Sequence, residues 1–262
     1  MRIVRKILAS ELRNVARSRW MVGYALLLLG FTSLLLRFGG TGERALLSLL
    51  NVVLLLLPLV SVMFGTLYVY NAREFIEMLL AQPVRRGALY AGLYGGVALP
   101  LVAAYLLGVG VPLLARGSEA PGYLAHCAML LAVGTLLTLV YTAFALCVAV
   151  RIDDRARGLG AALLVWLVTT LLYDGIILGV ATSLGQYPIE MPLLVMVFLN
   201  PIDLARVLLL LSLDISALMG YTGAVYARFF HGGGTILAFL MLIVCAATPL
   251  LVGYRWFLRK DF

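Results

Sequence analysis

Residues 123–150 read YLAHCAMLLAVGTLLTLVYTAFALCVAV, twenty-eight positions without one Asp, Glu, Lys or Arg. The hydrocarbon core of a bilayer is roughly 30 Å thick and takes about 20 apolar residues of helix to cross. This stretch predicts a membrane crossing. The crossing must be helical, because an open strand would leave backbone groups unpaired in lipid. Five further stretches of the same kind lie at 20–38, 46–70, 88–114, 158–184 and 235–257. The composition agrees: 63% of the residues are apolar and 12% charged, against about 45–50% and about 25% in soluble domains. The expected fold class is an all-α integral membrane protein with six transmembrane helices. No polar linker, low-complexity run or clear internal repeat divides it, so 1–262 reads as one domain.

This composition excludes most soluble enzymes. The 20 Lys and Arg are dispersed among apolar spans, which argues against nucleic acid and for membrane lipid as the partner of the basic surface. Cys127, Cys147 and Cys245 sit inside apolar runs and read as small hydrophobes rather than a disulfide framework.

Residues 1–19 do not read as a signal peptide, having neither a short apolar core nor a small-residue cleavage site. Ile3, Val4, Ile7, Leu8, Leu12 and Val15 recur at helical spacing, with Arg2, Arg5, Lys6, Arg13 and Arg17 largely opposite them. An amphipathic helix lying in the headgroup plane follows, and Trp20 marks the start of the first crossing. If the N-terminus is cytoplasmic, fifteen basic residues fall on inner segments and five, Arg37, Arg44, Arg116, Arg206 and Arg228, on outer ones. The bias predicts both termini inside.

Residues 185–234 break the pattern. Their apolar pieces 189–199 and 204–213 are separated by Asn200-Pro201 and carry Asp203 and Arg206. A seventh crossing would put Arg255–Lys260 outside, so the region is expected to form short helices on or dipping into the outer face. Asn200 would cap a helix with Pro201 as its first residue. Asp203 and Arg206, three apart, share a face and can pair. That pair shapes the loop or, with the turn holding Gly220 and Gly223, forms a gating element or a surface for an outer partner. A Leu-rich helix exposed there would need something to cover it.

The inner segment at 71–90 reads NAREFIEMLLAQPVRRGALY. A short helix carries Arg73, Glu74 and Glu77, stops at Pro83 and is followed by Arg85 and Arg86. It is an ordinary loop with anchoring arginines, or a docking helix. In the docking reading, Phe75, Met78 and Leu79 anchor in a partner's groove and the charges steer.

Here the residues carry a resemblance. The run Arg73-Glu74, then Glu77 through Arg86, is similar to the loop of ABC-2 type transporter permeases, where an acidic, Leu-rich helix ends in Pro-Val-x-Arg. The basic N-terminal helix and the six crossings match that family too. Phe75-Ile76 and Ala91-Gly92 depart from its usual Gly-Thr and Gly-Lys. A narrower resemblance runs through Asn200–Arg206 and Met219–Ala224 to NosY-like permeases, which serve copper-site assembly in nitrous oxide reductase.

The resemblance implies a homodimer with two cytoplasmic ATPase subunits, a periplasmic partner protein, and the bacterial cytoplasmic (inner) membrane as location. It also implies export or outer-face delivery of a sulfur or copper-related species. No G-x-x-x-x-G-K-[ST] loop is present, so ATP and Mg are expected on the partner ATPase and no cofactor in this chain.

Asp174, in the outer half of the fifth crossing, is costly in lipid. It either reaches water or bonds a neighbouring helix, or marks the translocation path. Met191, Met196, Met219 and His231, with His126-Cys127, are soft donors suited to Cu(I), but no short spacing binds them into a site and no metal is expected. The Asp153-Asp154 pair offers a second docking point. Two other readings compete. A stand-alone secondary transporter would want more polar groups at midplane, and an intramembrane enzyme would want paired catalytic groups.

Overall fold

The computed structural model describes residues 19–38, 42–81, 85–116, 122–183, 190–213 and 233–260. The expected interfacial helix before residue 19 lies outside the described residues, as do Pro83, Met219, Gly220, Gly223 and His231. Among the described residues there are nine helices and no strand. They are α1 (Arg19–Phe38), α2 (Gly42–Asn71), α3 (Arg73–Leu80), α4 (Arg86–Arg116), α5 (Tyr123–Arg151), α6 (Arg155–Ser183), α7 (Glu190–Leu199), α8 (Pro201–Ser212) and α9 (Thr235–Arg259). Six of them, α1, α2, α4, α5, α6 and α9, are long and apolar enough to cross a membrane. They fall where the apolar blocks place them.

α5 is the axis of the bundle. It packs chiefly against α2 and α9, then against α4 and α8. Leu130, Val133, Leu137, Val140, Tyr141 and Leu146 are buried along it. Lipid removes the hydrophobic drive between helices, so close approach and dispersion must hold them together, and small residues permit that approach. Gly65 of α2 lies against α5 so tightly that a Cβ there would stand 2.6 Å from Ala145 Cβ. Gly253 of α9 does the same on the other side, 3.1 Å from Cys147 Cα. Three threonines in this core are satisfied locally: Thr66, Thr138 and Thr142 donate to the carbonyls four residues back, at 2.7–2.8 Å.

Gly134 marks the α4–α5 contact. Tyr105, fully buried, donates to the Leu130 carbonyl at 2.8 Å, and a Cβ on Gly134 would stand 2.3 Å from its hydroxyl. Gly134→Ala is therefore expected to destabilise the bundle by about 1–3 kcal/mol through overpacking. A thermal melt of the detergent-solubilised protein reads this; an unchanged midpoint would show that Tyr105 has room to move.

α4 and α6 each contain a five-residue π-helical turn, Leu106–Gly110 and Val168–Leu172. α7 and α8 meet at Asn200 with a bend of 113°. The bend corrects one expectation. α8 is not an exposed Leu-rich helix awaiting a partner: Ile202, Leu204, Val207, Leu208 and Leu209 are buried, as are Asn200, Pro201 and Asp203. The proline at the first helical position and the sharp turn before it aim α8 into the bundle, where α5, α9 and α2 cover it.

Candidate functional site

α3 lies on the face where α2, α5 and α9 end and α4 and α6 begin. Its eight residues divide cleanly. Ile76, 1% exposed, enters an apolar cluster with Leu89, Tyr90, Leu93 and Phe257, and Leu79 and Leu80 pack against the edge of that cluster. Glu74, Phe75, Glu77 and Met78 point the other way and are exposed. Phe75 and Met78 are three apart, so they form one apolar spot on the helix surface, flanked by the two carboxylates.

Several polar contacts fasten this face. Arg73 donates to the Asp153 backbone carbonyl at 2.6 Å and also pairs with its carboxylate. Lys260 reaches the same carboxylate at 2.5 Å and donates to the Val150 carbonyl at 2.7 Å. Tyr70 donates to the Ile152 carbonyl at 2.8 Å. Arg86 donates to the carbonyls of Leu258 and Lys260 at 2.9 and 3.0 Å; such C-terminal helix carbonyls have no partner within the helix. Asp154 caps α6, accepting from the Arg157 N–H at 2.7 Å.

Of the sequence-predicted docking residues, Arg73 and Arg86 are thus engaged within the subunit, and Arg85 is exposed at the start of α4. Asp153 and Asp154, read as a second docking point, bind the chain's own groups. The hydrogen bond from Lys260, joined by the charge of Lys260 and by Arg73, holds the Asp153 carboxyl below the usual carboxylate range against the opposing effect of burial. A depressed carboxyl pKa stabilises the fold above the unfolded value, and the gain disappears as pH falls through the folded value. The carboxylate's share of this fastening is therefore present at neutral pH and lost in acid, while the bonds to backbone carbonyls do not depend on it.

A second cluster lies towards the other end of α6. Asp174 is nineteen positions after Arg155, roughly 28 Å along a helix rising 1.5 Å per residue. The guanidinium of Arg206 stands 2.9 Å from its carboxylate and 3.1 Å from that of Asp203. Asn200 joins the group from both ends of its amide: Oδ1 accepts the Ile202 N–H at 3.2 Å, while Nδ2 donates at 2.7 Å to Asp203 and at 2.7 Å to the Thr169 carbonyl. That carbonyl belongs to the π-turn of α6, where the helical ladder is widened. Tyr141 of α5 shares a 2.7 Å hydrogen bond with the Thr169 hydroxyl, and Tyr173 donates to the Met196 carbonyl of α7 at 2.7 Å. α5, α6, α7 and α8 thus meet at one polar cluster.

The sequence spacing predicts the Asp203–Arg206 pair and the Asn200 cap, and both are present. It treats Asp174 as a separate feature, and the structure joins it to them. Thr169, Tyr173 and Tyr141 give no one-dimensional signal, because their partners are 23 to 31 residues away in the chain. Among the described residues, no three His, Cys, Asp or Glu converge on one point. Met191 is exposed, and Met196 contributes its backbone carbonyl to Tyr173.

Six helices long and apolar enough to cross a membrane, with a short amphipathic helix anchored on one face, make up the described fold. The model for ABC-2 family transporter proteins matches residues 50–262, and the chain belongs to that family. It is 28% identical over 232 residues to the "Probable ABC transporter permease protein NosY" of Stutzerimonas stutzeri, covering 79% of each chain. It is 29% identical over 236 residues to the protein of the same name from Pseudomonas aeruginosa, covering 83% of this chain and 84% of that one.

Proposed function

We propose that this subunit uses α3 to dock a separate ATPase and converts that partner's ATP-driven movement into rearrangement of its own helices. The observation that carries the reading is the division of α3. A buried Ile76 and a bound Arg73 fix the helix to the bundle, while Glu74, Phe75, Glu77 and Met78 are left exposed on its outward side. A helix held rigidly on one side and presenting an apolar spot between carboxylates on the other is suited to a partner's groove. In this reading, Leu79 seats the helix, and Arg85 adds charge at its far end. Pro83 would end the segment.

The face bearing α3 is then cytoplasmic, with both termini on it, in the inner membrane of a bacterium. The basic residues gathered there support that orientation. Two copies of this chain would work with two ATPase copies, and ATP and Mg would be held by the ATPase, leaving this chain non-catalytic. Asn200, Pro201, Asp203, Arg206 and Asp174 would form the gate towards the outer side, since their cluster links four helices through exchangeable polar contacts. The likeness to two NosY permeases supports export or outer-face delivery of a sulfur or copper-related species for nitrous oxide reductase maturation, to a periplasmic partner.

Glu77→Arg tests the docking. It reverses an exposed charge without touching the buried side of α3, so the spans should remain folded while association with the ATPase weakens about tenfold, equivalent to about 1.4 kcal/mol. Co-purification and ATPase stimulation are the measurements. Equal complex yield and equal stimulation would remove α3 from the interface. A stand-alone secondary transporter would bring down no ATPase at all.

A further inference from the structure

α6 is held unlike any other long helix in the bundle. Only 6% of its apolar window is buried, against 67% for α5. Gly158, Ala162 and Thr170 are its buried residues, and Tyr173–Ser183 buries none. Its lateral hold is a strip on α2, where Tyr70 covers Gly158 and Trp166 donates to the Leu55 carbonyl at 3.2 Å, with a smaller contact on α5.

The polar attachments at its two ends lie far apart. At the start, the 152–154 segment is fastened by Tyr70, Arg73 and Lys260. Towards the other end, Asn200 and Arg206 hold Thr169 and Asp174. Segments with few buried apolar contacts lie at the low-stability end of a structure, from which its moving elements are drawn. Polar contacts exchange partners in discrete steps, which is how packed helices switch rather than deform.

We propose that α6 is the rod that carries movement of α3 to the Asp203–Arg206 cluster, with Asp153 and Asp174 as the positioning residues at its two ends. Arg73 passes displacement of α3 directly to Asp153, at the root of α6. Lys260, on the same carboxylate, brings the end of α9 along. At the other end Asp174 pulls on Arg206, and Asn200 follows through Thr169, so α8 is tilted where it enters the bundle. The source of the stroke rests on the docking reading; the attachments do not.

Distances between spin labels test both parts. Labels go on Gly179→Cys of α6, where no described residue beyond its own helical turn lies within 4 Å of an added Cβ, and on Leu124→Cys at the exposed start of α5, with Cys127, Cys147 and Cys245 replaced. For the subunit alone in lipid nanodiscs, Asp153→Asn is expected to broaden the 124–179 distance distribution, and Asp153→Glu to leave it narrow. With the ATPase bound, a non-hydrolysable ATP analogue should shift the mean distance by several ångströms in the parent and in Asp153→Glu, but not in Asp153→Asn, which still holds the ATPase. A distribution unmoved by Asp153→Asn overturns the proposal, as does a nucleotide shift that persists in that variant. If no ATPase associates with the parent, the docking reading fails and the measurement on the subunit alone still decides whether Asp153 pins α6.

Discussion

Arg206→Leu is expected to destabilise the folded subunit by about 3 kcal/mol, among the largest effects available from one side chain. Removing one partner of a covered ion pair leaves the other charge uncompensated, and for fully buried pairs this amounts to about 3–5 kcal/mol. Here two carboxylates depend on the one guanidinium, and Asp203 is only 4% exposed. Arg206 itself keeps 33% of its side chain accessible, which places the expectation at the lower end of that range. The origin of the effect has its own check. Arg206→Leu combined with Asp174→Asn and Asp203→Asn removes the stranded charges and should recover most of the loss, whereas each Asp→Asn change alone in the parent should be mild. Thermal melts in detergent or nanodiscs measure all four. A single Arg206→Leu variant as stable as the parent would mean that the cluster stays hydrated and contributes nothing to the fold.

Gly158→Ala should be nearly as damaging, for a steric reason. A Cβ at this position would fall 1.7 Å from the Tyr70 hydroxyl and 2.5 Å from its ring carbon. Tyr70 cannot simply swing away, because its hydroxyl is donated to the Ile152 carbonyl. The methyl must therefore either push α6 off α2 or break that hydrogen bond. Overpacking of this kind amounts to about 1–3 kcal/mol, and the lost bond adds about 1 kcal/mol. Because Gly158 lies four residues after the α6 cap at Asp154, coupling should suffer with stability: ATPase stimulation is expected to fall even where the complex still forms. Tyr70→Ala added to Gly158→Ala should then cause little further loss, a non-additivity that marks two residues competing for one space. Strict additivity of the two changes would contradict the packing.

The prominence of Gly158 could not have been inferred from the chain alone. It reads as one of 26 glycines, in a segment otherwise notable for its arginines. Its constraint comes from Tyr70, eighty-eight positions earlier. Asp153 is a similar case. Next to Asp154 and among arginines it looks like a solvated docking patch, until α3 and the end of α9 place Arg73 and Lys260 on it. The candidate docking helix was more legible. Its existence, its charges and its exposed Phe75 and Met78 follow from local spacing, since a helix of eight residues presents its faces by periodicity alone. The internal use of Arg73 and Arg86 did not follow, because it depends on which carbonyls lie opposite.

The number of crossings, their helical form and the grouping of the basic segments on one face were settled in one dimension, because bilayer thickness and charge act on each segment separately. The cap at Asn200 and the pairing of Asp203 with Arg206 were local enough to belong with them. Tertiary structure alone decided that α8 turns into the bundle instead of lying outside it, that Asp174 shares Arg206 with Asp203, and that α6 is fastened by polar groups at its root and near its other end as well as along α2. Those outcomes depend on how helices rotate and lean against one another, which close approach at Gly65, Gly134, Gly158 and Gly253 determines and no spacing along the chain encodes.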